Sequence, residues 1–76
     1  MGRFSVRVVH DNGSPAEDVG VMIDYGMLGG CEEKRTDSDG WVEFHNYEDN
    51  PGTIWVHGEE MGDHSLADGM TYSFKL

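Results

Sequence analysis

The chain is short of cysteine, cations and long apolar runs, and each shortage excludes a class of protein. Its single cysteine, Cys31, cannot form an internal disulfide, so the fold is not a disulfide scaffold. No apolar run approaches the length of a membrane span. Lys and Arg together number 5 against 15 Asp and Glu, which gives a formal net charge of −10. We expect a protein partner, and the negative net charge favours a basic one. Nucleic acid and membrane are not expected as partners, since both need a basic surface.

The N-terminal residues do not show the pattern of a secretory signal peptide, so none is expected. Residues 1–4, MGRF, lead directly into an alternating apolar pattern, with no charged leader before an apolar segment. Together with the single cysteine, this makes the cytoplasm the default expectation for the compartment. The sequence leaves open whether the 76 residues are a whole protein or a fragment of a larger one.

Apolar and polar residues alternate along most of the chain, which is the pattern of β-strands. Strands are predicted near residues 4–9, 19–25, 32–36, 41–45, 53–57 and 72–76, and residues 37–40, DSDG, carry the strongest hairpin signal. No stretch has a helical stripe of useful length, and residues 58–69 read as a weakly ordered acidic connection. The pattern predicts an all-β fold, a small antiparallel β-sandwich of about seven short strands in one domain over residues 1–76. The predicted core residues are Phe4, Val6, Val8, Val19, Val21, Ile23, Val42, Phe44, Ile54, Val56, Tyr72 and Phe74.

Three stretches of the chain combine turn and strand residues in a set order. They are VHDNGSPAEDVGV at residues 9–21, TDSDGWVEF at 36–44 and NPGTIWV at 50–56. In order and spacing they resemble the transthyretin-like (prealbumin-like) sandwich domains, in particular the carboxypeptidase regulatory-like group, over most of residues 4–57. The resemblance implies a sandwich with no catalytic site of its own, which serves as a folding, docking or spacer module. The acidic, His-bearing segment at 58–69 departs from that pattern.

The two tryptophans lie at outward positions of predicted strands. If the strands around residues 42 and 56 form a hairpin with inward residues paired, Trp41 faces His57 and Glu43 faces Trp55. The two indoles are then diagonal neighbours on one outer face. Aromatic residues are enriched at interfaces, whereas the alternative is that these rings only shelter the sheet. The predicted binding residues are Trp41, Trp55, Glu43 and His45.

These patterns favour a non-enzymatic structural or protein-interaction module, which docks a partner through the outer aromatic sheet face or a strand edge. Catalysis has little support, because a nucleophile needs an orienting base and a third group. Cys31 lies beside Glu32 and Glu33, and carboxylates disfavour a reactive thiolate. Ser65 follows His64 directly, but sequence neighbours seldom face each other. We therefore expect no catalytic residues and no enzyme activity.

Residues 57–64, HGEEMGDH, hold two imidazoles and three carboxylates, which are ligands that suit zinc. The alternative function is therefore a divalent-metal-binding module. Seven positions separate the two histidines and glycines interrupt the stretch, so it lacks the helical spacing of metalloproteases. A site requires the loop to fold back, and otherwise the stretch is a strand end with an acidic tether and no cofactor is expected. The candidate ligands are His57, Glu59, Asp63 and His64.

Overall fold

A computed structural model describes residues 2–26, 30–46 and 51–76, which form a β-sandwich of two sheets. The strands are β1 (Gly2–Val9), β2 (Gly20–Asp24), β3 (Cys31–Arg35), β4 (Trp41–Asn46), β5 (Gly52–Val56), β6 (Glu59–His64) and β7 (Thr71–Lys75). One sheet has the order β4-β1-β7 and the other β3-β2-β5-β6. Within the described residues, no helix has the length and apolar character to cross a membrane. The predicted all-β class and sandwich are confirmed.

Strand β1 is the centre of the three-stranded sheet. It runs antiparallel to β4, with Phe4 opposite Phe44, and parallel to β7, with Val8 opposite Phe74. Apart from the β1–β7 pair, the described pairings of strands are all antiparallel, as the sequence predicts. Because side chains alternate along a strand, one face of each sheet carries the apolar residues and the opposite face meets solvent.

The core lies between the two sheets and contains the predicted residues. The rings of Phe4 and Phe44 stack with their centroids 5.6 Å apart. Of the predicted core residues, Tyr72 and Phe74 are only partly buried and pack against the others. Ala16 and Leu66 are buried as well. The sequence missed both because each is an isolated apolar residue in a connection, where no alternation marks it.

The turn at residues 37–40 has the predicted chemistry but a different place in the fold. The Asp37 Oδ1 accepts hydrogen bonds from the backbone N–H groups of Asp39 and Trp41 at 2.9 and 3.0 Å, and Gly40 has a φ of 80°. Strands β3 and β4 belong to different sheets, so the turn crosses between sheets and the predicted hairpin is wrong. The same turn residues occur in hairpins and in connections between two sheets, so the sequence does not distinguish these two kinds of turn.

Residues 59–64 form strand β6, so the expectation of a weakly ordered connection is wrong. His57 and Gly58 have φ values of 52° and 81°, as a two-residue type I′ hairpin turn requires. After this turn β6 runs antiparallel to β5, with an irregularity between Thr53 and Trp55. Met61 is the only apolar residue of β6. The strand therefore has no alternating pattern and depends on pairing with β5.

The left-handed conformation of His57 gives a test of its role in this turn. Asparagine occupies this region most readily among residues with a side chain, so His57→Asn is expected to raise the free energy of unfolding by about 0.5 kcal/mol. Urea denaturation followed by tryptophan fluorescence measures the change. His10→Asn is the control, because His10 is exposed and has no positive φ. A less stable His57→Asn protein would contradict the assignment of His57 as a turn residue.

Candidate interaction surfaces

The two tryptophans lie on opposite outer faces of the sandwich. Strand β4 pairs with β1, whereas β5 pairs with β2 and β6. The predicted hairpin, in which Trp41 faces His57 and Glu43 faces Trp55, is therefore wrong. Trp41 and Trp55 do not form one aromatic face. Alternation determines which face of a sheet a residue takes, but it does not determine which strand lies beside it.

The outer face of the three-stranded sheet carries three of the chain's five cations. Trp41, Arg7 and Ser73 form one row across the sheet, and the Arg7 guanidinium carbon lies 5.9 Å from the Trp41 ring centroid. Trp41 is 39% exposed. Predicted binding residues Glu43 and His45 lie on the same face. We call this surface the basic face, and its residues are Arg3, Ser5, Arg7, Val9, Trp41, Glu43, His45, Thr71, Ser73 and Lys75.

Two cations of the basic face have no ion-pair partner among the described residues. The Arg3 Nε lies 3.6 Å from the Glu43 Oε1, but no carboxylate approaches Arg7 or Lys75 in this way. The strands of this face carry three cations and one carboxylate, Glu43, whereas the whole chain has 15 acidic residues. The sequence places Arg7 and Lys75 outward on their strands. It did not show that the two strands adjoin.

A shallow groove lies at the other end of the basic face and has a volume of about 730 Å³. Its charged groups are already paired within the chain. The Arg3 backbone N–H donates to the Asp68 Oδ1 at 2.9 Å, and the Arg3 guanidinium faces Glu43. The unpaired positive charge thus lies outside the groove, nearer to Trp41.

The outer face of the four-stranded sheet is acidic. Trp55 of β5 lies opposite Met22 of β2 on one side and Glu60 of β6 on the other. Its indole N–H is buried and has no acceptor among the described residues, which favours the sheltering role for this ring. Asp24 and Asp63 lie on the same outer face. The expectation of a basic partner stays a prediction, and it fits this acidic face better than the surface around Trp41.

The two histidines of the candidate metal site lie at opposite ends of the β5–β6 hairpin. His57 is in the turn, whereas His64 pairs with Gly52 at the far end, so roughly 20 Å of strand separates them. His64 also points inward, with its ring centroid 5.0 Å from that of Tyr72 and 5.8 Å from that of Phe74. The structure therefore does not bring the two imidazoles to one ion.

The candidate carboxylates are separated in the same way. Glu59 is exposed beside the turn, and Asp63 accepts a hydrogen bond from the Thr53 hydroxyl on the acidic outer face. In the part of the chain that the structure describes, no group of three or more His, Cys, Asp and Glu residues is placed to hold a metal ion. The zinc alternative gains no support from this geometry.

The free edge of β4 is occupied by side chains and backbone from outside its own sheet. The outward carbonyl oxygens of Trp41, Glu43 and His45 each accept a hydrogen bond. Their donors are the Asp37 backbone N–H at 2.9 Å, the Lys34 Nζ at 2.9 Å and the Tyr25 hydroxyl at 3.3 Å. A partner strand would have to displace all three donors, so this edge is closed to docking.

Comparison of the chain with protein-family models, curated proteins and solved structures finds no match in any of the three. The resemblance to transthyretin-like domains therefore stays a prediction, while the sandwich itself follows from the strand order. The function has to be inferred from the surfaces of this chain.

Proposed function

We propose that the chain is a non-enzymatic protein-interaction module that binds an acidic protein surface through its basic face. The observation that supports this proposal is the pair of unpaired cations, Arg7 and Lys75, on the same face as the exposed Trp41. Tryptophan and arginine are the residues that most often dominate binding energy at protein interfaces. Carboxylates of a partner supply the negative charge that these cations do not meet among the described residues.

The sheet and the Trp41 ring restrict the Arg7 side chain before a partner binds. Arg7 lies at the centre of the sheet on β1, with neighbours on both sides, and its guanidinium lies over the Trp41 ring. Side chains that are held by a sheet and by each other lose less conformational entropy when a partner arrives. The cation–π contact orients the guanidinium without neutralising its charge.

The size of the face predicts a weak and salt-sensitive complex. Three strands spaced about 4.8 Å apart give a face of roughly 300 Å². A stable interface buries about 800 Å² on each partner. The basic face alone is smaller than that, so its attraction to carboxylates should matter most at low ionic strength.

The opposite placement of the two tryptophans provides a matched test. Trp41→Ser is expected to reduce capture of partner proteins from a lysate about tenfold, because it removes the exposed ring and the support of Arg7. Trp55→Ser removes the same atoms from the other face and should leave capture unchanged. Quantitative mass spectrometry at low and high salt measures capture, and amide NMR spectra check that both variants are folded.

Equal losses in the two variants would contradict the proposal, and so would unchanged capture by a folded Trp41→Ser protein. Arg7→Gln adds a second readout. It should weaken capture and reduce its dependence on salt, because one charge contact is lost.

A further inference from the structure

The two sheets of the sandwich differ in width by one strand. Three strands face four, and different contacts bridge the sheets at the two sides. On one side Lys34 of β3 reaches over to β4, where its Nζ lies 5.4 Å from the Phe44 ring centroid. On the other side His64 of β6 contacts Tyr72 and Phe74 of β7. No strand among the described residues lies beyond β7.

The seam between β6 and β7 is incompletely covered. Met61, Tyr72 and Phe74 pack against the core but are only partly buried. These residues and His64 form an aromatic and apolar strip beside the free edge of β7. A strand placed next to β7 would widen the three-stranded sheet on this side and cover part of this strip.

Three of the four sheet edges are protected against pairing. The edge of β4 is occupied by the three donors described above. Strand β3 is charged at four of its five positions, which discourages a neighbouring strand. Strand β6 is irregular where it pairs with β5 and contains Gly62 at a φ of 92°. Such bulges interrupt the ladder that a new strand would need.

The edge of β7 has none of these features. Met70 accepts a hydrogen bond from the Ser5 N–H at 3.0 Å, and the Leu76 N–H donates to Val9 at 2.9 Å. In a parallel pair the intervening odd-numbered residues then direct their backbone groups away from β1. No hydrogen bond from the described residues reaches the outward backbone groups of Thr71, Ser73 and Lys75. Residues 71–74, TYSF, also carry no charge.

We propose that β7 binds an extended segment of another protein, which adds to the three-stranded sheet as a fourth strand. The proposal rests on the proposed function only in that the partner is a protein. The edge of β7 borders the basic face, to which the side chains of Thr71, Ser73 and Lys75 belong, but the edge binds through backbone groups. Backbone hydrogen bonds at Thr71, Ser73 and Lys75 supply affinity that does not depend on the partner's sequence. Alternate side chains of the partner then supply specificity.

The chemistry on the two sides of β7 defines the partner segment as one in which apolar and acidic residues alternate. Its inward residues cover Tyr72, Phe74 and Met61, and therefore are apolar. Its outward residues lie next to Lys75 and continue the row that contains Arg7, and therefore are acidic. A second copy of the chain pairing through its own β7 fits less well, because that strand brings Lys75 and no acidic residue.

A peptide of alternating valine and glutamate, one strand long and blocked at both ends, is the probe. With the ¹⁵N-labelled chain, it should shift the amide signals of β7 and slow hydrogen exchange at Thr71, Ser73 and Lys75. Nuclear Overhauser contacts should join its valine methyls to Tyr72 and Phe74. A matched peptide of alternating valine and lysine should bind about tenfold more weakly at low salt.

Ser73→Pro tests the edge, because it removes an outward N–H that β1 does not use, and proline is tolerated at such edge positions. It should abolish binding of the valine–glutamate peptide, whereas Ser73→Thr keeps the N–H and should bind normally. If Ser73→Pro does not fold, the same peptide N-methylated at the amides that face β7 should fail to bind the wild-type chain. Trp41→Ser should bind the peptide normally, so a failure at the edge and a failure at the basic face are distinguishable.

Two outcomes overturn the inference. In the first, the peptide causes no shifts, or it causes shifts only at β3 or around Arg7 and Trp41, with none in β7. In the second, sedimentation of the peptide-free chain shows a dimer that Ser73→Pro dissociates, which would assign the edge of β7 to a second copy.

Discussion

Replacing Gly40 with alanine is expected to lower the free energy of unfolding by about 3 to 5 kcal/mol, which is comparable to the whole stability of a domain of this size. A Cβ at this position would lie 2.4 Å from the Val8 carbonyl oxygen and 3.2 Å from the Ala16 backbone nitrogen. Both neighbours are backbone atoms, so neither can rotate away. The carbonyl of Gly40 also accepts a hydrogen bond from the Val8 N–H at 2.8 Å, which holds the two segments together. The φ of 80° adds strain for any residue with a side chain.

Gly13→Ala is the matched control for this experiment. Gly13 has a φ of 88°, but a Cβ there meets nothing within 4 Å. It therefore isolates the conformational cost, which is about 1 kcal/mol. Urea unfolding of both variants, followed by tryptophan fluorescence, gives the comparison. Equal losses would show that the turn at residues 37–40 can move away from Val8.

Replacing Thr36 with valine is expected to lower the free energy of unfolding by about 2 to 4 kcal/mol, although the two side chains have the same shape. Thr36 is a buried polar residue of the core and is 4% exposed. Its hydroxyl accepts a hydrogen bond from the Val19 N–H at 2.9 Å and donates one to the Ala16 carbonyl at 2.6 Å. Valine leaves both backbone groups buried without this partner, and an unpaired buried group costs more than its hydrogen bond contributes.

Thr71→Val makes the same chemical change at an exposed position of an edge strand. It should alter the free energy of unfolding by less than about 0.5 kcal/mol, because surface substitutions away from special contacts have little effect. Thermal and urea unfolding of both valine variants measure the difference. A Thr36→Val protein as stable as the wild type would mean that the segments at Ala16 and Val19 find other partners.

The sequence predicted which side chains of the candidate site point outward, but it did not predict which strands lie side by side. Alternation placed Trp41, Glu43 and His45 outward on one strand, and the structure keeps them on one face. It also placed Trp55 outward, but the neighbour of its strand was wrong. Two β-strands with the same inward spacing can pair side by side or face each other across a core, and both arrangements bury the same residues.

The sequence pattern also did not predict strand β6, because this strand depends on pairing with β5. The segment at Glu59–His64 has too few apolar residues to be recognised as a strand, yet the turn at His57 folds it back along β5. The same hairpin places His57 and His64 at its opposite ends, although both lie within one eight-residue stretch of the sequence. The distance between two side chains depends on the path of the chain and not on their separation in sequence.

The amino-acid sequence by itself determined the all-β class, the inward residues of most strands and the chemistry of the turn at residues 37–40. These features depend on side-chain alternation and on local backbone preferences, which act over a few residues. Only the tertiary structure decided which strands are neighbours, which cations lack a partner and which edge is open. Those features depend on contacts between distant segments, such as Lys34 with the edge of β4 and Arg7 with Trp41, and on packing of the two sheets as a whole.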